Sequence, residues 1–109
     1  MKQTPTVLLP LSPAALHILL ALAPDDLHGY GIMQEVARQS EGMYKLGPGT
    51  LYGALARLEE AGLIEPLDAD DRRRPYRLTA AGMGILAGEI DALERVVRTV
   101  RGRLTDPSA

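Results

Sequence analysis

The chain has 109 residues, 46% of them hydrophobic and 24% charged, which is ordinary for a single folded domain with a modest core. It contains no cysteine, so disulfides, thiolate metal sites and thiol chemistry are excluded, and no apolar run approaches the length needed to span a bilayer. The formal net charge of −2 argues against a generally basic nucleic-acid binder but leaves room for a local one, because the shape of the field matters as well as its total.

Residues 1–10 are interrupted by prolines and carry little basic character, so they read as an arm rather than a signal peptide. LSPAALHILLALAP then predicts a first helix, with Ser12 as its cap and Pro13 in its first turn. Leu16, Leu19, Leu20 and Ala23 line one side, apolar enough to require burial in the domain or against a partner, and Pro24 ends it. HGYGIMQEVARQSEGM predicts a second helix over Tyr30–Gln39, with Ile32, Met33, Val36 and Ala37 facing the core and Gly42 marking the exit. GPGTLYGALARLEEAG predicts a third, from Pro48 to Ala61. Gly47 is its N-cap, Leu51, Leu55 and Leu58 form its apolar face, and Gly62 stops it. Two short helices with a brief connection fit helix-turn-helix geometry, an outline many unrelated helical proteins share.

LIEPL (63–67) and PYRLT (75–79) read as two strands of a small hairpin, with Pro66 and Pro75 confined to edge or terminal positions. Two strands alone are marginal, so the hairpin must lean on the helices. Positive charge is clustered there, with Arg72, Arg73, Arg74 and Arg77 within six residues, just after Asp68, Asp70 and Asp71. The last element shows the clearest period: Met83, Leu86, Ile90, Leu93, Val97, Val100 and Leu104 recur at alternating intervals of three and four, the seam of a coiled coil. Thr79 caps this helix, which is roughly 30 Å long. Glu89, Asp91 and Glu94 precede Arg95, Arg98, Arg101 and Arg103, which suits the helix dipole and favours an antiparallel crossing in a two-fold dimer. The alternative is a seam that packs only on its own domain.

No catalytic or metal-ligating pattern emerges. The two histidines, His17 and His28, have no neighbouring carboxylate pattern of a metal site, and Asp25-Asp26 and Glu59-Glu60 are adjacent pairs that diverge on a helix. Gly29-Tyr30-Gly31 and Gly47-Pro48-Gly49 lack the strand and spacing of a nucleotide loop, and Ser12, Ser40 and Ser108 lack a nucleophile elbow. No cofactor is therefore expected, and the chain reads as a non-enzyme.

Four stretches in this order, LSPAALHILLAL (11–22), LHGYGIMQEV (27–36), GPGTLYGALARLEEAGLIE (47–65) and RRRPYRLTAAG (72–82), resemble the PadR family of transcriptional regulators, in its short form with a single C-terminal helix. The resemblance covers about Leu11 to Leu104. It implies a mainly α (α+β) fold: a winged helix-turn-helix over residues 11–79, a C-terminal dimerisation helix over 80–104 and a flexible tail over 105–109. It also implies a cytoplasmic homodimer that represses promoters on double-stranded operator DNA, often until a small aromatic or cationic effector releases it. The family's recognition helix maps onto Pro48–Leu58 and its wing onto Asp68–Arg74. Thr50 and Tyr52 match positions that lie at the DNA in similar proteins.

The expected DNA face is Lys45, Gly49, Thr50, Tyr52, Arg57, Arg72, Arg73 and Arg74. Hydroxyls, cations and the amides of a helix N-terminus suit phosphates and base edges. The expected dimer seam is Leu86, Ile90, Leu93, Val97 and Val100, and the expected effector pocket lies among Leu16, His17, Leu20 and Ile90. Two positions depart from the family pattern: Gly47 replaces a frequent capping serine, and Gly53 a longer polar or basic residue. Some short members of the family that the chain resembles bind flat drugs between tryptophans at the dimer centre, a mode this chain, with no Trp and no Phe, cannot copy. Plainer readings stand beside these. Tyr52 packs on its neighbour, Thr50 is a first-turn hydroxyl, Lys45 and Arg57 are solvated charges, and the arginine run is a solvated loop. The rival function is a winged-helix protein-interaction or assembly module without specific DNA binding.

Overall fold

The computed structural model describes residues 10–67 and 74–105. The expected arm apart from Pro10, the greater part of the wing loop with Arg72 and Arg73, and most of the tail lie outside the described residues. The elements run α1 (Pro13–Leu22), α2 (Gly29–Gln39), α3 (Pro48–Glu60), β1 (Ile64–Pro66), β2 (Tyr76–Leu78) and α4 (Ala80–Thr105).

Local chemistry sets these limits. The Ser12 hydroxyl accepts from the Ala15 amide at 3.1 Å and Pro13 fills the first position of α1. Helix α2 is capped by an imidazole: His28 Nδ1 accepts from the Gly31 amide at 3.3 Å. Its far end closes through two left-handed residues, Glu41 (φ 54°) and Gly42 (φ 77°), with the Gly42 amide donating to the Ala37 carbonyl. Helix α3 starts at Gly47 with no side-chain cap. It ends in a Schellman turn, in which the Gly62 amide donates to the Glu59 carbonyl and the Leu63 amide to the Leu58 carbonyl, with Gly62 at φ 78°.

The core gathers Ile18 and Leu19 from α1, Ile32 and Val36 from α2, Leu51, Leu55 and Leu58 from α3, and Leu63 and Ile64 at the start of the hairpin. The face that α1 buries differs from the expected one. Ala14, Ala15, Ile18, Leu19 and Leu22 point inward, Leu16 and Leu20 are half-buried, and Ala23 is exposed. The helix is apolar nearly all round, so hydrophobic spacing does not fix its phase.

The hairpin pairs Ile64 with Leu78, Glu65 with Arg77 and Pro66 with Tyr76, antiparallel. Leu27 adds an unexpected bridge on the other edge of β2, exchanging both backbone hydrogen bonds with Tyr76 (2.9 and 3.2 Å). The connection from α1 to α2 therefore behaves as a one-residue third strand and ties the hairpin to the front of α2.

Helix α4 is docked by Thr79 and Gly82. The Thr79 hydroxyl donates to the Gly62 carbonyl at 2.7 Å and accepts from the Gly82 amide at 3.0 Å, while the Thr79 amide donates to the Leu63 carbonyl. A Cβ on Gly82 would overlap the Leu63 carbonyl oxygen and stand 2.6 Å from Leu78 Cδ1, so only glycine permits this approach. Three packed helices, a short hairpin and a long C-terminal helix make a winged helix-turn-helix with a C-terminal extension.

Candidate nucleic-acid interface

Helix α3 buries Leu51, Ala54, Leu55 and Leu58 and leaves Gly49, Thr50, Tyr52, Ala56 and Arg57 exposed. The connection that delivers it is anchored on both sides of Lys45. Before Lys45, the Ser40 hydroxyl accepts from the Tyr44 amide and donates to the Tyr44 carbonyl, both at 3.1 Å. The Tyr44 ring stacks on His17 of α1, centroids 4.7 Å apart and planes 17° from parallel. After Lys45, Leu46 is buried in the core. Lys45 is thereby held at the surface beside the start of α3.

Tyr52 is 54% exposed, yet its ring edge is seated: a Cβ on Gly29 would stand 2.6 Å from the phenol oxygen. Packing on a neighbour and facing outward are both true of this side chain. Gly29, at the front of α2, is the residue that admits it. Tyr30, next in the chain and 61% exposed, stands within the HGYG stretch, and no spacing in the sequence marks a role for it.

The hairpin lies alongside. Burial pushes the Tyr76 phenol above its ordinary range, Glu59 adds to the rise, Arg74 opposes it and Tyr52 adds a little more. Glu59 and Tyr52 on α3 and Arg74 and Tyr76 at the wing therefore share one electrostatic neighbourhood. Arg74 is exposed. Two other arginines are committed elsewhere: Arg77 pairs with Asp26 at 3.2 Å, and Arg38 with Glu35 one turn earlier on α2. That second pair lowers the Glu35 carboxyl and raises the Arg38 guanidinium. Among the described residues, Lys45, Arg57 and Arg74 have no carboxylate partner.

The remaining predicted residues lie on α4 and on α1. Leu86 is buried in the core of its own chain and Ile90 packs against that core, so the inner end of the seam is already covered. Leu93, Val97, Val100 and Leu104 are exposed, from 38% to 79%. Ile90, Leu93, Glu94, Val97, Arg98 and Arg101 line a shallow groove along α4. Of the four expected effector residues only Ile90 lines it. Leu16 and Leu20 pack half-buried against the core, and His17 is engaged by Tyr44 and by Gln39, whose Nε2 donates to the His17 carbonyl at 3.1 Å and lies 3.3 Å from Nδ1. No helix among the described residues is long and apolar enough to cross a membrane.

The fold and the exposed third helix define a winged helix-turn-helix protein. Residues 18–87 match the Transcriptional regulator PadR-like family, and the chain belongs to that family of transcriptional regulators. Among similar proteins, the transcriptional regulator Rv3488 of Mycobacterium tuberculosis is 43% identical over 90 residues, spanning 80% of this chain and 81% of that one. An uncharacterized 37.1 kDa protein in a Streptomyces fradiae transposon is 45% identical over 83 residues, 76% of this chain but only 24% of the longer protein. A solved transcriptional regulator from Clostridium thermocellum superposes with a TM-score of 0.73 at 28% identity, covering 82% of this chain and 87% of that one. A PadR family regulator from Clostridium difficile gives 0.67 at 27% identity, covering 85% and 98%.

Proposed function

We propose that the chain is a sequence-specific DNA-binding repressor that acts as a cytoplasmic homodimer and performs no chemistry. The observation that carries the reading is the exposed flank of α3. Thr50 and Tyr52 stand on its first two turns, Lys45 just before it, and Arg74 on the adjoining wing, with none of these cations paired among the described residues. A major groove admits one such helix, and the free amides at its N-terminus favour a phosphate. Gly49, Lys45 and Arg74 are assigned to the backbone, as are Arg72 and Arg73 of the wing loop, and Thr50 and Tyr52 to the groove. Two copies pair through Leu93, Val97 and Val100, with Ile90 at the inner edge, and present two α3 helices to successive half-sites. A modest apolar or aromatic effector, held between α4 and the half-buried Leu16, His17 and Leu20 of α1, releases the DNA. Affinity for duplex DNA measured across a salt series tests the reading. A falling log–log dependence on salt together with a preference for the promoter beside the gene supports it. Salt-independent or absent binding returns the fold to a protein-interaction module.

A further inference from the structure

The outward side of α3, opposite Leu51, Leu55 and Leu58, is bare until its last residue: Gly49, Gly53 and Ala56 follow one another down it before Glu60 at the end. Side chains that could read bases from the middle of that surface are missing at their own positions. Arg57 is the only cation in the helix. Its position, nine residues after Pro48, would by itself place it beyond the first turns, where helices of this kind meet base edges. The side chain cancels that distance. Long side chains on a helix lean toward its N-terminus and cover the turn before their own. Here the Arg57 Nη1 lies 3.7 Å from where a Cβ on Gly53 would stand, so the guanidinium is folded back one turn, about 6 Å along the axis. It rests on the patch that Gly53 leaves empty, exposed and without a carboxylate partner among the described residues.

The geometry points to Arg57 as the guanine-reading residue of this protein, contacting the base by its O6 and N7 acceptors rather than a phosphate, with Gly53 as the residue that gives the guanidinium its seat. This rests on α3 entering the major groove as proposed above. The fork of an arginine matches the paired acceptors of guanine, whereas the hydroxyls of Thr50 and Tyr52 each offer a single donor. Arg57 therefore fixes one G·C pair in each half-site, and the wing cations supply sequence-independent affinity.

Selection from a random duplex library with the purified full chain, followed by salt titration on the selected duplex, tests this. The wild type should enrich a half-site with one invariant G·C pair. Arg57→Ala should lose roughly ten- to a hundredfold in affinity for that duplex, relax the preference at that one pair, and keep the salt slope. Arg57→Gln, reselected, should abandon guanine at the same position, with adenine the base that an amide suits. The side chain is exposed, so unchanged dimer mass and helicity should accompany both variants. Uniform weakening on all sequences with a loss of about one unit of salt slope would make Arg57 a phosphate contact and overturn the assignment while DNA reading by α3 stands. Unchanged selection by both variants overturns it as well. If the wild type enriches nothing, the DNA-binding reading itself fails and takes this assignment with it.

Discussion

Helix α3 and the outer half of α4 both leave one face uncovered, but the two faces are opposite in kind. On α3 the bare side is polar and small, and water satisfies it; the helix loses nothing by standing alone. On α4 the bare side is Leu93, Val97, Val100 and Leu104, and the 38% to 79% of each that stays in water forgoes a matching share of the about 1.5–3 kcal/mol that full burial of such a side chain gives. A partner for α3 is thus a matter of function, and a partner for α4 a matter of stability. The division within α4 is sharp. Leu86 lies in the core at 4% exposure, whereas Val97, three turns on, is 48% exposed.

The contrast can be broken most severely at Gly82. In Gly82→Ala the new methyl meets the Leu63 carbonyl, backbone that has little room to yield, so α4 must lift off the end of α3. We expect a loss beyond the roughly 1–3 kcal/mol of ordinary core overpacking, because the atom met is backbone and cannot change rotamer, read as a lower midpoint in urea. Next come two changes on one helix with different outcomes. Leu86→Ala should cost about 2–5 kcal/mol of folding stability through the cavity it leaves. Leu93→Asp with Val97→Asp should leave the separate domain folded, because neither side chain is needed by its own core, but should halve the molar mass seen by light scattering at micromolar concentration. A wild type that already runs as one chain would leave α4 without a partner and end the comparison.

These two helices were also unequal in how readily the sequence disclosed them. The alternation of leucines with Thr50, Tyr52, Arg57 and Glu59 gave α3 a direction, and its ends were marked by Pro48 and Gly62; the structure places both within one residue of expectation. The period of α4 was equally plain, but a heptad records only that a stripe is apolar. It does not record which stretch its own domain covers, so Leu86 and Val97 looked alike. Helix α1 shows the extreme: with apolar residues on every side, the spacing that favours Leu16, Leu20 and Ala23 as the buried face fits Ala14, Ile18 and Leu22 as well, and the structure buries the second set. The Leu27–Tyr76 bridge is a single residue pair with no pattern to announce it. At the candidate site the residue types were legible, but the seating of Tyr52 on Gly29 and the fold-back of Arg57 over Gly53 depend on contacts between positions whose spacing carries no signature.

Smaller effects sharpen the picture at the wing. Arg74→Ala should reduce affinity for operator and random duplex by similar factors and lower the salt slope by about one unit. Tyr52→Ala should cost more on the operator than on random DNA, and the same salt series on both duplexes separates the two. The smallest effect concerns Tyr76. Its phenol is held above its ordinary value, so the folded form binds this proton more tightly than the unfolded chain does. The associated stability is present below the unfolded value near 10 and is lost as pH rises through the folded one. Tyr76→Phe should flatten that alkaline decline in denaturant midpoints measured from pH 8 to 11, and an unchanged slope would place its origin elsewhere.

The Thr79 junction has a mechanical meaning. One hydroxyl bonds both the turn that ends α3 and the first turn of α4, and Gly82 brings the backbones into contact, so the two helices share a rigid elbow with no slack between them. In a pair joined through α4, the angle at which the two long helices cross then sets the gap between the two α3 helices, as the pivot of a pair of callipers sets the distance between its tips. Half-sites repeat at about 34 Å along duplex DNA. A wedge inserted at the pivot would mis-set the gauge for both half-sites at once, leaving every contact surface unaltered.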